Sequence, residues 1–339
     1  MTGPAAQLGI QFHAGAKMYF EQLNAQGGIG GRTVEIALLD DGYEPDRCAE
    51  NTQKFIDQDV FALFAYVGTP TSLAALPLAA KAHLPFIAPY TGAPALRTGR
   101  VGSVFHVRAS YNDETALIVR NLANLGLKKI GVFYQNDAYG KAGLDGVTQA
   151  LSAIDLKPAV TAVVERNSVE VAAAAKLIAD AGPDAVVQIS AYKSCAAFIR
   201  AARKAGYGGQ FFNVSFVGTQ ALSDELGKDA AGVVVSQVMP YPYLPVHPFA
   251  REFLSAVART NGAVKANYSS IEGYLAARVV SEGLRRSGSK GGRDGFISGL
   301  ESLGSTAIGG FPITLSKTQH VASNFVELSL LTPDGRVRV

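Results

Sequence analysis

From Thr33 to Ala109 the chain repeats one pattern: a short β-branched or aromatic run, then a longer stretch with apolar residues at helical spacing. TVEIALLD, FALFAYV, LPFIAPY and VFHVRA read as strands, and helices are expected from Asp46 to Gln58 and from Thr71 to His83. Strand–helix–strand alternation brings like strands side by side and in parallel, with helices covering both faces of the sheet. This excludes most all-α and all-β architectures. Ahead of the first strand, Phe12, Ala16, Tyr19 and Leu23 recur at helical spacing, and the glycines of GGIGG stop that helix.

The pattern restarts after RASYND. KIGVFYQND, AVTAVVE, DAVVQIS, QFFNVSF and GVVVSQVM alternate with expected helices at Tyr139–Ile154, Val169–Ala181, Lys193–Ala205 and Gln220–Leu226. Three helices then follow without strands between them: HPFAREFLSAVARTN, Ser270–Arg286 and RDGFISGLESLG. They can only pack on an earlier sheet. The tail returns to strand character in FPITLS and NFVELSLL, closed by the turn TPDG. Two such units in 339 residues fit two cores better than one. The expected fold is α/β, two doubly wound parallel-sheet lobes. The first takes residues 1–110 and 241–318, and the second takes 111–240 and 319–339. The chain then crosses between lobes near Ala109–Asn112, Val238–Tyr241 and Ser316–Asn324, and three crossings form a three-stranded hinge.

Charge and hydropathy remove several functions. The net charge of +3 comes from interspersed Lys and Arg, without the basic stripe of a nucleic-acid surface. The most apolar stretch, Leu73–Pro89, is broken by Lys81, His83 and three prolines, so it falls short of a membrane span. Cys48 and Cys195 belong to different lobes and are expected to be unpaired thiols. GGIGG follows a helix, GxGxxG is absent, and no GxSxG, Walker lysine or HExxH motif occurs. The five histidines are scattered without metal-ligand spacing. Asp40–Asp41 reads as a solvated pair capping a loop, and Cys195 as a small residue lining a helix start. No cofactor, metal or catalytic residue is assigned.

In open α/β sheets, ligands sit beyond the carboxyl ends of strands, where loops enter helix N-termini. Aromatic and hydroxyl residues recur there: Tyr66, Gly68, Thr69, Thr71 and Ser72, then Tyr90, Thr91 and Gly92, and in the second unit Tyr139, Tyr192, Ser215 and Phe216. DVFALFAYVGT and DAVVQISAYKS both run Asp, apolar strand, Tyr, small hydroxyl residue, which suggests two half-sites face to face. In YVGTPTS, Gly68 lets a ligand approach the backbone, while hydroxyls and free helix-start N–H groups can hold a carboxylate. Any one such stretch is equally well an ordinary helix cap. Five together favour a ligand cleft.

These residues carry a family likeness. TGPAAQLG, LNAQGGIGGRTVEIALLDDGYEPDRCAENTQKFI, YVGTPTS, LPFIAPYTGAPALR and FYQNDAYGKAGLDGV resemble the branched-chain amino-acid-binding type of periplasmic solute-binding proteins of ABC transporters, the type I binding-protein fold. The resemblance spans nearly the whole chain. It implies a periplasmic, monomeric receptor that closes over a small molecule and hands it to an ABC permease in the membrane. It also implies that Gly68–Thr71 and Tyr90–Gly92 hold the ligand carboxylate, that Tyr139 and Tyr192 close from the second lobe, and that Leu8 touches the ligand.

Three departures qualify it. Family members offer an acid to the ligand ammonium where this chain has Ser215 and Phe216, and an unpaired buried ammonium is costly. Either another acid substitutes, Asp137 first and Asp113 second, or the ligand lacks an amino group. The family's first-lobe disulfide has no counterpart. The family's signal peptide and first strand would precede Met1, so a misplaced start or trimmed chain is expected, with a gap in the first sheet and a less stable first lobe. The expected ligand is a small carboxylate, an amino acid or an aromatic or keto acid, set against an aromatic wall. The rivals are a regulatory domain that signals to a partner protein and, more remotely, an enzyme.

Overall fold

The computed structural model describes residues 1–97, 103–288 and 291–339. It opens with helix α1 (Ala6–Ala25), then α2 (Pro45–Asp57), strand β1 (Leu63–Phe64), α3 (Thr69–Lys81), β2 (Phe86–Ile87) and β3 (Val104–Phe105). The three strands pair in parallel in the order β1-β2-β3, lengthened by isolated bridges Val67–Tyr90 and His106–Val321. The second unit runs α4 (Tyr111–Asn124), β4 (Ile130–Gln135), α5 (Ala138–Ser152), β5 (Val160–Val164), α6 (Ala172–Ala181), β6 (Ala185–Ile189), α7 (Tyr192–Lys204), β7 (Gln210–Asn213), α8 (Thr219–Leu226) and β8 (Val234–Gln237). Next come α9 (Pro248–Ala258), α10 (Tyr268–Arg286), α11 (Arg293–Glu301), the antiparallel pair β9 (Gly304–Ile308) and β10 (Phe311–Leu315), then β11 (Glu327–Leu331) and β12 (Val337–Arg338).

The second sheet has seven strands in the order β12-β11-β8-β7-β6-β4-β5, parallel from β8 to β5 and antiparallel at β11 and β12. Strand order reverses between β4 and β6, so the loops after those strands open on one crevice. β6 is buried along its whole length, as a strand covered by helices on both faces must be. The three late helices do return to the first sheet. α1 and α10 approach so closely that a Cβ on Gly15 would stand 1.8 Å from the Ser270 carbonyl oxygen, and one on Gly273 would stand 2.0 Å from that of Phe12. Only glycine permits that backbone contact.

Helix starts follow local chemistry. Ser110 and Asp113 form a reciprocal capping box on α4 (3.1 and 2.9 Å), and Asn267 with Ser270 does the same on α10. Asp137 caps α5, accepting from the N–H groups of Tyr139 (2.9 Å) and Gly140 (3.0 Å). Cys48 and Cys195 are buried and unpaired.

One expected strand does not form. TVEIALLD joins no sheet: Val34 pairs with the Asn24 side chain (2.9 Å both ways), Asp40 accepts from the Asn51 side chain at its carbonyl (3.2 Å) and from the Thr2 N–H at its carboxylate (3.0 Å), and Leu38 is half exposed. Between residues 34–41 and the free edge of β1 lie two adjoining cavities of about 110 and 180 Å³, walled by Phe20, Ile36, Phe55, Phe64 and Tyr66. A β-branched run becomes a strand only where a neighbour completes its ladder, and here none is adjacent.

Candidate functional site

The turn after β1 places Gly68 at φ 96°, and a Cβ there would meet the Tyr43 ring at 2.2 Å, so this position needs glycine twice over. α3 begins at the next residue. Its Thr69 hydroxyl lies 2.6 Å from that of Thr91, which follows β2, and Thr91 in turn reaches the Tyr111 hydroxyl at 3.3 Å. The loop is fastened from behind by half-buried Arg97, which donates to the carbonyls of Thr91 (3.0 Å), Arg108 (2.9 Å) and Ala109 (3.1 Å). Burial pulls this guanidinium down to about 10, still charged at neutral pH. Gly92 is pressed on Tyr111, with a Cβ position 2.6 Å from its ring.

Residues from the second unit meet this loop. Phe216 packs against Tyr139 (centroids 4.7 Å), Tyr90 (5.8 Å) and Tyr43 (6.2 Å), and Tyr139 against Tyr111 (5.4 Å). Leu8 of α1 lies against Gly218, its Cδ1 2.7 Å from where a Cβ would stand. Thr69, Tyr90, Thr91, Gly92, Leu8, Tyr139 and Phe216 therefore share one junction between the sheets, with Tyr43 and Tyr111 added. The hydroxyls of Tyr43 and Tyr139 are buried there without a hydrogen-bond partner among the described residues. Burial holds both phenols neutral, well above their ordinary range.

The floor of the junction is charged. Glu114 of α4, fully buried, accepts from the Ser215 N–H (2.6 Å), the Ser215 hydroxyl (3.0 Å) and the Ser236 hydroxyl (2.5 Å). Arg108, 1% exposed, donates to the Ser215 hydroxyl (2.7 Å), lies over the Tyr90 ring (4.4 Å) and sets its Nε 3.0 Å from Glu272, a close ion pair though not an aligned hydrogen bond. Two carboxylates thus share one guanidinium out of water. Burial raises both, with Arg108 opposing, and brings Glu272 to about 7.

Other expected residues lie elsewhere. Tyr66 points to the α2 side, its hydroxyl 3.1 Å from that of Thr52 and its ring against Phe86 (4.9 Å). Thr71 turns its hydroxyl back onto the carbonyls of Val67 and Gly68, as helical threonines do. Tyr192 starts α7 buried, and among the described residues no ring contact joins it to the cluster. Asp137 and Asp113 are committed to their caps, and Asp137 also faces Arg166 at 3.3 Å, so neither stands ready for a ligand ammonium. The acid beside Ser215 is Glu114. The signal for it was in the sequence: Tyr111, Thr115, Ile118 and Leu122 mark the inward face of α4, and Glu114 is on it. Arg108, Glu272 and Tyr43 had no such pattern to mark them.

Among the described residues no group of His, Cys, Asp and Glu could hold a metal, and no helix is long and apolar enough to cross a membrane. Rings and hydroxyls from two α/β sheets thus meet in one buried junction, the architecture of a two-lobed binding protein. Residues 1–328 match the family described as periplasmic binding protein, and the chain belongs to that family. It is 34% identical to the crystal structure of a possible leucine/isoleucine/valine-binding protein from Rhodopirellula baltica SH 1 (TM-score 0.92, covering 99% of this chain and 93% of that one). An amino acid binding protein of Pseudomonas aeruginosa is 24% identical over 68% of this chain, a match spanning 61% of that relative's length. A solute-binding protein of an ABC transporter from R. palustris, solved with benzoate, shares the fold at 21% identity (TM-score 0.86, covering 99% and 92%). The type I periplasmic binding fold is thereby established.

Proposed function

We propose that the protein is the extracytoplasmic receptor of an ABC importer and binds a small carboxylate by closing two lobes, residues 1–110 with 241–318 and 111–240 with 319–339. The reading rests on one observation: the Thr69–Thr91 hydroxyl pair from the first sheet meets the Tyr139–Phe216 ring pair from the second in a single junction. Hydroxyls and helix-start N–H groups suit a carboxylate, and the rings suit an apolar or flat body. The relatives named for amino acids and the neighbour solved with benzoate are in keeping with this class of ligand. The receptor acts in the periplasm, passes its ligand to a membrane permease and has no chemistry of its own.

Ligand selection is led by Leu8, Gly68, Thr69, Tyr90, Thr91, Gly92, Tyr139, Ser215 and Phe216. Thr71, Tyr66 and Tyr192 support it from behind. A thermal-shift screen of amino acids, benzoates and keto acids tests the reading. A ligand at about 100 times its Kd stabilises by about 2.7 kcal/mol. Stabilisation by carboxylates that is lost in a Thr69→Val, Thr91→Val double variant is expected, and a screen in which no carboxylate raises the melting temperature would sink the idea.

A further inference from the structure

Arg108 is held at three points and free at a fourth. Nη2 is used by Ser215, Nε faces Glu272, and the guanidinium plane lies on Tyr90, whereas Nη1 is buried with no hydrogen-bond partner among the described residues. It opens on a cavity of about 10 Å³ lined by Tyr90, Ser215, Gln237, Ser269 and Glu272. That is room for about one water-sized oxygen. Tyr90 and Ser215 join this cavity to the ring cluster, since Tyr90 and Ser215's neighbour Phe216 are in contact there.

A buried N–H without an acceptor costs free energy, so the group that belongs here is an oxygen. Its charge is constrained as well. Glu272 faces this guanidinium at 3.0 Å and Glu114 reaches it through Ser215, so its charge is already matched, and a further anionic oxygen would need a positive charge that is no longer free. A neutral acceptor would not.

We infer that Arg108 is a specificity-determining residue of the cleft and that its Nη1 receives a neutral carbonyl or hydroxyl oxygen carried by the ligand in addition to its carboxylate. The inference rests on the carboxylate-receptor reading and narrows it to oxo and hydroxy acids, in preference to the plain acid or the amino acid of the same skeleton. An ammonium would set a donor against a donor at this point. A plain acid would leave Nη1 unsatisfied.

Matched ligands test this in solution: 4-methylpentanoate, 4-methyl-2-oxopentanoate and leucine; 3-phenylpropanoate, phenylpyruvate and phenylalanine; benzoate with its 3- and 4-hydroxy derivatives. Calorimetric Kd values are compared for the wild type and for an Arg108→Met, Glu272→Gln variant that removes charge in balance. A hydrogen bond from a charged donor predicts that the oxygen-bearing member of at least one set binds about 10- to 100-fold tighter, and that the variant loses this preference. Equal binding within every set of the wild type would overturn the assignment of Arg108 and leave the carboxylate receptor standing. So would a preference that survives in the variant, or amino acids as the tightest members. If no acid binds at all, both readings fall together. Should the double variant not fold, the wild-type comparison decides alone.

Discussion

At Gly68 two constraints coincide, a left-handed backbone and a tyrosine ring seated where a side chain would begin. Gly68→Ala should therefore cost about 1–3 kcal/mol in urea unfolding and displace Tyr43 from the ring cluster. A melting temperature equal to that of the wild type would show that the turn relaxes freely. Glu272 carries a different consequence. Its ordinary value of 4.5 rises to about 7 in the fold, chiefly by burial, so the native state favours its protonated form. The contribution is complete below pH 4.5 and fades as pH climbs through about 7. By linkage the full loss is on the order of 3 kcal/mol. Glu114 shifts in the same direction and is present in both proteins when wild type is compared with Glu272→Gln. Between pH 5 and pH 8 the wild type should lose more urea stability than the variant, and parallel pH profiles would refute this account.

At the scale of elements, structure is legible in the sequence wherever a segment's own pattern decides it. The helices at α2, α5, α7 and α10 lie within a residue or two of their expected limits because caps and apolar stripes are local. β4 to β8 emerged from apolar runs bounded by turns, and the hydroxyl-bearing loops at 68–72 and 90–92 were found because strand ends in such sheets are where ligands go. What could not be read was decided by distant partners. TVEIALLD has strand composition without a strand neighbour, β9 arose at GSTAI only because β10 folds back on it, and Arg108 meets Ser215 across 107 positions of chain. Asp137, expected as a substitute partner for a ligand ammonium, is the cap of α5, since an acid just before a helix is also its natural cap. The unpaired run makes a direct prediction. Amide hydrogens of residues 35–41 should exchange orders of magnitude faster than those of β4 and β6, whose ladders are complete on both edges. Comparable protection would mean that this segment acquires a sheet partner in solution.

For the molecule as a whole, the two sheets are fastened to each other away from the ring junction as well as at it. Arg166, just beyond β5 of the second sheet, donates to Glu44 at 2.9 Å and to the Tyr43 carbonyl, and lies over the Tyr43 ring at 4.7 Å. Asn167 adds a bond to the other oxygen of Glu44 at 2.8 Å. Glu44 and Tyr43 belong to the loop ahead of α2, so separating the lobes must break all of these, whereas the contact of Arg166 with Asp137 stays within the second unit. The pair is partly exposed, Glu44 by 43%, so solvent and salt screen it. With the carbonyl bond and the ring contact included, about 1–2 kcal/mol of closure free energy is a fair expectation. A ligand draws on the closed population, so weakening the latch raises the apparent Kd by the same factor that it depletes that state. Arg166→Ala should bind the best ligand of the screen about 5- to 30-fold more weakly, with most of the loss in a faster off-rate, and should show a larger radius of gyration without ligand. Raising the salt should weaken the wild type more than the variant. An unchanged Kd with an unchanged salt response would mean that the lobes are held shut by the ring cluster and the buried charges alone, and that Arg166 only decorates the rim.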